Sequence, residues 1–184
     1  SRPLPGSFSA YLLLEVADRS DPSDELLAFL GDRDDVVVAT DAPARRRLWE
    51  LRERHTEAIA SAGIVHKLDV SVPPARLAEF IARIGPVLEA AVPGSRLILY
   101  GHVAEANLHV NVLGPAADDQ SADAAILELV LELGGSISAE HGVGIAKAAW
   151  LERDRGAADV AAMRAIKRAL DPGNILNPGV VLGP

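Results

Sequence analysis

The chain has 184 residues, of which 49% are hydrophobic and 24% are charged, and its formal net charge is −8. These proportions are typical of a globular protein, and the length suits one well-cored domain. An acidic chain with a pI near 5.1 lacks the clustered positive surface that nucleic acids require, so we predict no nucleic-acid partner. The absence of cysteine excludes disulfides and is compatible with a cytoplasmic location. No apolar run approaches the roughly 20 residues that span a bilayer.

The first sixty residues are predicted to alternate strands and helices. Ser7–Ala17 and Asp35–Thr40 are rich in residues that favour strands. The first strand leads to a helix for which Ser23 is the expected N-cap. The second leads to a long helix that Asp41 caps and Gly63 ends. This order repeats a strand-then-helix unit.

The rest of the chain predicts further strands and helices. The elements are a strand at His66–Pro73, a helix at Ala75–Ala91, strands at Ser95–Val103 and Asn107–Gly114, a helix at Ser121–Gly135, a strand that leads to a glycine loop within Ser136–Gly144, and a last helix that ends before Pro172. Single helices between strands, with two neighbouring strands late in the chain, favour an α+β fold. We therefore predict a single domain over residues 1–184, with a mainly antiparallel, ferredoxin-like sheet and helices packed on one face.

Two of the predicted strands each carry a polar face opposite an apolar face. Successive side chains of a strand point to opposite sides, so residues two apart share a face. The polar residues that alternate with apolar ones are Lys67, Asp69, Ser71, Asn107, His109 and Asn111. One side of these strands is therefore expected to be core and the other to carry imidazole, amide and charged groups.

A pair of histidines flanks a short polar interruption. His102 and His109 are an odd number of residues apart, so on one continuous strand they would face opposite sides. A turn between them would let two strands present both imidazoles to one pocket, where Glu140 could supply an anionic third ligand. The alternative is that both are polar residues on a solvated sheet face, because their spacing is no specific metal signature.

The helix that begins at Ala42 adds a candidate anion-binding pair. Arg52 and Thr56 are one helical turn apart. A guanidinium fork matches the two oxygens of a carboxylate, and a hydroxyl one turn later can assist it. An exposed ion pair of Arg52 with Glu53 or Glu57 is the alternative interpretation.

Five segments, taken in order from about residue 48 to the end, carry a resemblance to a known family. They are LWELRERHTEAI, HKLDVSVP, YGHVAEANLHVNVLG, SISAEHGVGIAK and LDPGNILNPGVVL. Together they resemble the C-terminal, substrate-binding domain of FAD-linked D-2-hydroxyacid dehydrogenases of the vanillyl-alcohol-oxidase type. That group includes D-lactate, D-2-hydroxyglutarate and glycolate dehydrogenases.

The resemblance implies a role for each candidate residue. His102, His109 and Glu140 would bind a divalent metal, zinc or another first-row ion. His141 would lie next to the reacting hydroxyl, and we predict that it is the catalytic base that takes the hydroxyl proton. The implied substrate-binding residues are Arg52, Thr56, Lys67 and Asn111, and the implied cofactor-binding residues are Glu140, Gly142 and Asn177.

The implied reaction is oxidation of a D-2-hydroxy acid to a 2-oxo acid, with hydride transfer to FAD. In the family the FAD-binding domain lies on the N-terminal side, and no segment of this chain resembles it. The expected partners are therefore a small 2-hydroxy acid and the FAD-binding domain of the same parent chain, and a homodimer is a possible assembly. We expect the isolated domain to be inactive.

One turn departs from the family pattern. Between the two histidines the family commonly has Gly-Asp-Gly-Asn, whereas this chain has Ala104, Glu105, Ala106 and Asn107. The loss of both glycines restricts this turn to conformations that a Cβ atom tolerates.

Two other functions fit the same residues. A small zinc-dependent hydrolase would use the two histidines and Glu140 to activate water and would need no flavin. A ferredoxin-like, non-catalytic domain would use the polar strand faces to bind an acidic metabolite without transforming it. The first predicts activity with metal alone, and the second predicts carboxylate binding without metal.

Overall fold

The computed structural model describes residue 4 and residues 6–183. The chain divides into two units, Ser1–Ser61 and Ala62–Pro184. Each unit has its own local organisation, and the candidate metal ligands all belong to the second.

The described part of the first unit contains helices α1 (Ser23–Leu30), α2 (Ala42–Glu53) and α3 (His55–Ala60). The predicted cap of α2 is confirmed, since the side chain of Asp41 accepts a hydrogen bond of 2.7 Å from the backbone N–H of Ala44. The predicted cap of α1 is wrong by one residue, because Ser23 is already helical and Pro22 precedes it.

The long helix predicted after Asp41 is interrupted. Arg54 separates α2 from α3 and has a ψ of −1°, outside the usual helical range. Arg52 and Thr56, expected one turn apart on a single helix, therefore lie on two successive helices.

The two strands predicted in this unit are wrong. Residues 7–17 and 35–40 have no regular secondary structure. Along the first segment most apolar side chains are exposed, with 60% for Tyr11 and 74% for Leu12. A strand requires a neighbour to pair its backbone groups, and no ladder forms among the described residues of this unit. Strand propensity alone does not fold these segments.

The second unit is built on a three-stranded antiparallel sheet. Its strands are β1 (Val65–Ser71), β2 (Arg96–His102) and β3 (Asn107–Leu113), in the spatial order β1-β3-β2. Helix α4 (Leu77–Ala91) connects β1 to β2, and α5 (Ser121–Glu132) follows β3. Helices α6 (Leu151–Arg155) and α7 (Ala157–Leu170) come later in the chain. The α+β prediction is confirmed, and the β-α-β-β-α order with this strand arrangement is that of a ferredoxin-like sheet.

Within Ser136–Gly144, the predicted strand is present only at its first residue, and the predicted glycine loop follows it. Ser136 forms a single antiparallel bridge with Ser71 at the free edge of β1. Beyond that point the backbone N–H groups of residues 139–141 donate to the carboxylate of Asp69 and not to a strand. A side chain therefore replaces the ladder, and the segment becomes a loop.

One face of the sheet forms the core. Leu68, Val70 and Val110 lie on this face and are at most 6% exposed, and α5 packs against β1 and α4. The helices contribute Phe80 and Ile126, both fully buried. Burial of each such side chain stabilises the fold by about 1.5–3 kcal/mol. The opposite face, which holds the alternate residues of the strands, is left for polar groups.

None of the helices in the described ranges is long and apolar enough to cross a membrane.

Candidate metal and substrate site

The strand register places the predicted polar residues side by side on one sheet face. The facing pairs are Lys67 with Asn111, Asp69 with His109 and Ser71 with Asn107 across β1 and β3, and Tyr100 with His109 and His102 with Asn107 across β2 and β3. The middle of this face is buried, because β3 is the central strand and all seven of its residues are buried, whereas Lys67 on β1 and His102 at the end of β2 are exposed.

The β2–β3 turn brings the two predicted histidines together. A 3-10 turn at Val103–Glu105 is followed by Ala106, whose φ of 48° and ψ of 34° lie in the left-handed region. Non-glycine residues rarely adopt this conformation, so the glycine-free turn keeps a strained residue. With the chain reversed, the rings of His102 and His109 have centroids 5.9 Å apart.

Glu140 completes a group with the geometry of a cation site. One ligand atom from each of His102, His109 and Glu140 can be chosen so that all three lie within 4.8 Å of one another. Nε2 of His102 is 3.5 Å from Oε1 of Glu140. Two ligands at about 2.0–2.1 Å from a tetrahedral zinc ion lie about 3.4 Å apart, so this donor pair fits such an ion. Two imidazoles and one carboxylate also suit other first-row divalent ions.

The carboxylate of Glu140 is held by Asn107. The side-chain amide of Asn107 donates a hydrogen bond to Oε1 of Glu140, and Asn107 is only 5% exposed. Oδ1 of Asn107 is buried and has no hydrogen-bond partner among the described residues. Buried polar atoms of this kind are rare in proteins and often mark a missing water or ion.

Asp69 is the most buried acid of the site, with 2% exposure. Its Oδ2 accepts hydrogen bonds from the backbone N–H groups of Ala139, Glu140 and His141, at 3.1, 2.6 and 2.8 Å. Burial by itself raises the pKa of the Asp69 carboxyl, but the hydrogen bonds from His141 and Glu140 outweigh it and hold the pKa below its usual value. Asp69 is therefore a carboxylate at neutral pH.

His141, the predicted base, lies directly beside this group. Its ring stacks on that of His109, with centroids 5.4 Å apart and planes 20° apart. Its side chain is exposed, whereas His109 is 9% exposed. His141 also forms a second possible ligand group with Asp69 and His109. An accessible imidazole next to a cation site is suitably placed to accept a substrate proton.

The predicted carboxylate-binding residues of β1 and β3 lie on the same face. Lys67 is exposed and faces Asn111, which is 2% exposed. Two residues along a strand span about 7 Å, so the backbone of Lys67 lies about that distance along β1 from Asp69, which faces His109. The side-chain amide of Asn111 is held by the backbone carbonyl groups of Ile98 and His109, at 3.4 and 3.3 Å.

Two further residues of the site were not predicted. Lys147 is half-buried, and its Nζ donates to the carbonyl oxygen of Ile137 at 2.8 Å and to that of Asp69 at 3.4 Å. Burial lowers the pKa of Lys147, although attraction to Asp69 and Asp154 partly opposes this. Tyr100 packs its ring against His109, with centroids 4.9 Å apart. The facing position of Tyr100 follows from the hairpin register, but no sequence pattern indicates the contacts of Lys147.

Comparison with known proteins identifies the family. Residues 2–181 match the family described as "FAD linked oxidases, C-terminal domain". The chain belongs to this family. The resemblance found in the five sequence segments is thereby confirmed.

Curated relatives of this C-terminal domain include several named D-2-hydroxyglutarate dehydrogenase. The protein of that name from Xanthomonas citri pv. viticola is 41% identical over 154 residues, which cover 79% of this chain and 32% of the relative. The Stutzerimonas stutzeri protein is 34% identical, with 80% and 33% covered. A mitochondrial protein from Danio rerio is 34% identical over 179 residues, with 91% and 33% covered. The chain spans about a third of the length of these relatives.

The other predicted substrate- and cofactor-binding residues are not among the candidate metal ligands. Arg52, at the end of α2 and half-buried, and Thr56, in α3 and exposed, belong to the first unit. Gly142 directly follows His141 and is exposed, with a φ of 81°. Asn177 is exposed in the C-terminal segment, also with a left-handed φ of 48°. Their roles stay predictions.

Proposed function

We propose that this chain is the substrate- and metal-binding domain of an FAD-dependent oxidoreductase that converts a D-2-hydroxy acid to a 2-oxo acid. The main support is the convergence of His102, His109 and Glu140 on one sheet face, in a chain of the FAD linked oxidase family. The lysine at position 67 on the same face supplies the positive charge that an acidic protein with a net charge of −8 does not offer in general.

The residues of the chain divide the work on the substrate. Lys67 and Asn111 would bind the carboxylate through charge and hydrogen bonds. Arg52 and Thr56 are proposed as substrate-binding residues on the family resemblance alone. His102, His109 and Glu140 would hold a divalent cation, which when bound supplies the Lewis acidity that lowers the pKa of a hydroxyl.

The proton of the 2-hydroxyl would pass to an imidazole nitrogen of His141. This group is accessible and is oriented by its stacking on His109. FAD, held mainly by the FAD-binding domain of the same parent protein, supplies the acceptor for the C2 hydrogen and its electron pair. Glu140, Gly142 and Asn177 are the positions proposed to face it, and all three are exposed.

We propose D-2-hydroxyglutarate as the first substrate to test, because the curated relatives bear that name. D-lactate and glycolate are the other candidates, and they differ from it in lacking a second carboxylate. Zinc is the proposed ion. A cytoplasmic location is proposed on the cysteine-free composition, although some relatives are named mitochondrial. A homodimer stays a prediction.

The test uses the full-length parent protein with bound FAD. We expect D-2-hydroxy acids to bleach the flavin absorbance in a stopped-flow experiment. The His109→Ala variant should bleach it at least about 100-fold more slowly, as expected when a metal ligand is lost. Asp123→Asn serves as the control, because it alters a histidine–carboxylate contact on the other face of β1 and should keep the wild-type rate. An unchanged rate in His109→Ala would remove the metal assignment.

Two further experiments separate the two alternative functions. Hydrolysis by the 184-residue chain with zinc alone would favour the hydrolase. Binding of 2-hydroxy acids that survives complete chelation of metal, with no flavin reduction in the full-length protein, would favour a non-catalytic binding domain.

A further inference from the structure

One side chain of the site contacts both the loop that carries Glu140 and the histidine beside it, yet it belongs to neither the proposed metal ligands nor the proposed substrate contacts. Asp69 lies on β1 directly opposite His109 on β3 and is 2% exposed. A carboxylate so deeply buried is costly unless its oxygens are paired with donors or cations. Its two oxygens have different surroundings.

Oδ2 of Asp69 organises the loop of residues 139–141. Three consecutive backbone N–H groups donate to this single oxygen, at 3.1, 2.6 and 2.8 Å. Two of these groups belong to Glu140 and His141, so the backbone at both residues is fixed relative to β1. Without the Asp69 carboxylate these three N–H groups would lose their common acceptor.

Oδ1 of Asp69 faces the central histidine. It is buried and accepts no hydrogen bond from the described residues, and Nδ1 of His109 lies 3.4 Å away. Only a protonated nitrogen is attracted to a carboxylate oxygen, so this contact favours the proton on Nδ1. The lone pair is then on Nε2, and a lone pair is what an imidazole nitrogen needs to bind a cation. Such carboxylate–histidine pairs commonly fix the ring and raise the basicity of a metal-binding imidazole.

The position of Asp69 is itself braced. Nζ of Lys147 bridges the carbonyl oxygens of Asp69 and Ile137, which precedes the loop by only two residues. Ile137 is fully buried, and its N–H donates to Asp154 at 3.1 Å. The backbone of β1 at Asp69 is therefore linked to the segment at Ile137 through Lys147, and the Asp69 side chain is linked to the following residues 139–141.

We infer that Asp69 is the positioning residue of this site: one oxygen shapes the loop that presents Glu140 and His141, and the other orients His109 with Nε2 toward the cation. This inference rests on the proposed function for the presence of a cation, but the orientation itself exists without one. Asp69 is assigned no ligand role because Oδ2 already accepts three hydrogen bonds and Oδ1 faces Nδ1 of His109.

The first test needs no metal. In the metal-free 184-residue chain, NMR hydrogen exchange should show that Asp69→Ala accelerates exchange of the amides of residues 139–141 by about 10-fold or more, because each loses a charged acceptor. Long-range ¹H–¹⁵N spectra should show His109 protonated on Nδ1 in the wild type and a mixture of tautomers in Asp69→Asn. Unchanged exchange at these amides together with an unchanged tautomer would overturn the inference, and far-UV circular dichroism checks that each variant is folded.

The second test measures cation binding in the same chain. Zinc titration should give an affinity about 10–100-fold lower in Asp69→Asn than in the wild type. The absorption bands of Co²⁺ in that variant should keep the wild-type shape, because no ligand is lost. Altered Co²⁺ bands would make Asp69 a ligand and overturn its positioning role. Asp123→Asn is the matched control, since it removes the charge beside His66 at 3.1 Å and should leave zinc affinity unchanged. If the wild-type chain binds neither ion, the metal assignment of the proposed function fails, and the exchange and tautomer measurements still decide the inference.

Discussion

Gly101 allows β2 to approach β3 next to His102, and a single methyl group there should separate the two strands. A Cβ atom at this position would lie 2.0 Å from the carbonyl oxygen of Asn107 and 3.1 Å from Cα of Leu108. Carbon–oxygen contacts are normally about 3.3–3.6 Å, so the backbones must move apart by about 1.3 Å. The backbone of Gly101 is not left-handed, so the contact alone causes the strain.

The expected cost of Gly101→Ala follows from this displacement. Loss of about two ladder hydrogen bonds at about 1 kcal/mol each, with an overpacking cost of about 1–3 kcal/mol, gives about 3–5 kcal/mol of lost unfolding free energy. With an m-value of about 2 kcal/mol/M, the urea midpoint should fall by about 1.5–2.5 M. The zinc affinity should fall as well, because His102 moves with the strand end.

Gly173→Ala provides the control for this experiment. The added methyl group would have Cγ2 of Ile175 as its nearest neighbour at 3.6 Å, an ordinary contact, and the backbone is again not left-handed. Its urea midpoint should stay close to that of the wild type. The steric reasoning is refuted if Gly101→Ala unfolds at the wild-type midpoint and binds zinc with wild-type affinity.

Stability should also depend on pH through His66 and on the core through Phe80. Burial alone lowers the pKa of His66, but its hydrogen bonds to Asp123 and to the carbonyl group of residue 116, with the nearby charge of Asp119, hold the pKa above its usual 6.5. This stabilisation is complete below 6.5 and is lost as pH rises through the raised value. Urea midpoints should therefore fall over that interval in the wild type, and a His66→Gln variant that keeps the same fall would contradict the assignment. Phe80→Ala should lower the free energy of unfolding, measured in urea, by about 3–5 kcal/mol because the ring is fully buried. Phe29→Ala, at 82% exposure, should lower it by less than about 0.5 kcal/mol. Equal losses in the two variants would argue against this packing.

The elements that sequence analysis located are those with a strong local signal. Strict alternation identified β1 and β3, and a helical apolar pattern identified α4 and α5. The polar face followed from the same alternation, since Asn107, His109 and Asn111 cannot share a side with the core residues between them. The prediction that His102 and His109 lie close together required only that the chain reverse direction between them.

What could not be predicted depends on contacts between distant segments. Residues 7–17 have strand propensity, but pairing depends on a neighbouring strand and not on the segment itself. The loop at 139–141 follows a segment predicted to be a strand, and its N–H groups bond to Asp69, about seventy residues earlier in the chain. Lys147 gave no signal because both groups it contacts are backbone carbonyls, which leave no trace in the identity of a residue.

Alternate residues of the central strand β3 face two different environments. Leu108, Val110 and Val112 face the helices, while Asn107, His109 and Asn111 face the candidate site, and all six are buried. Accessibility alone would thus group them as equivalent interior positions. A scan of every substitution along β3 would instead separate by parity: even-numbered positions would govern how much folded protein accumulates, and odd-numbered positions how well that folded protein works.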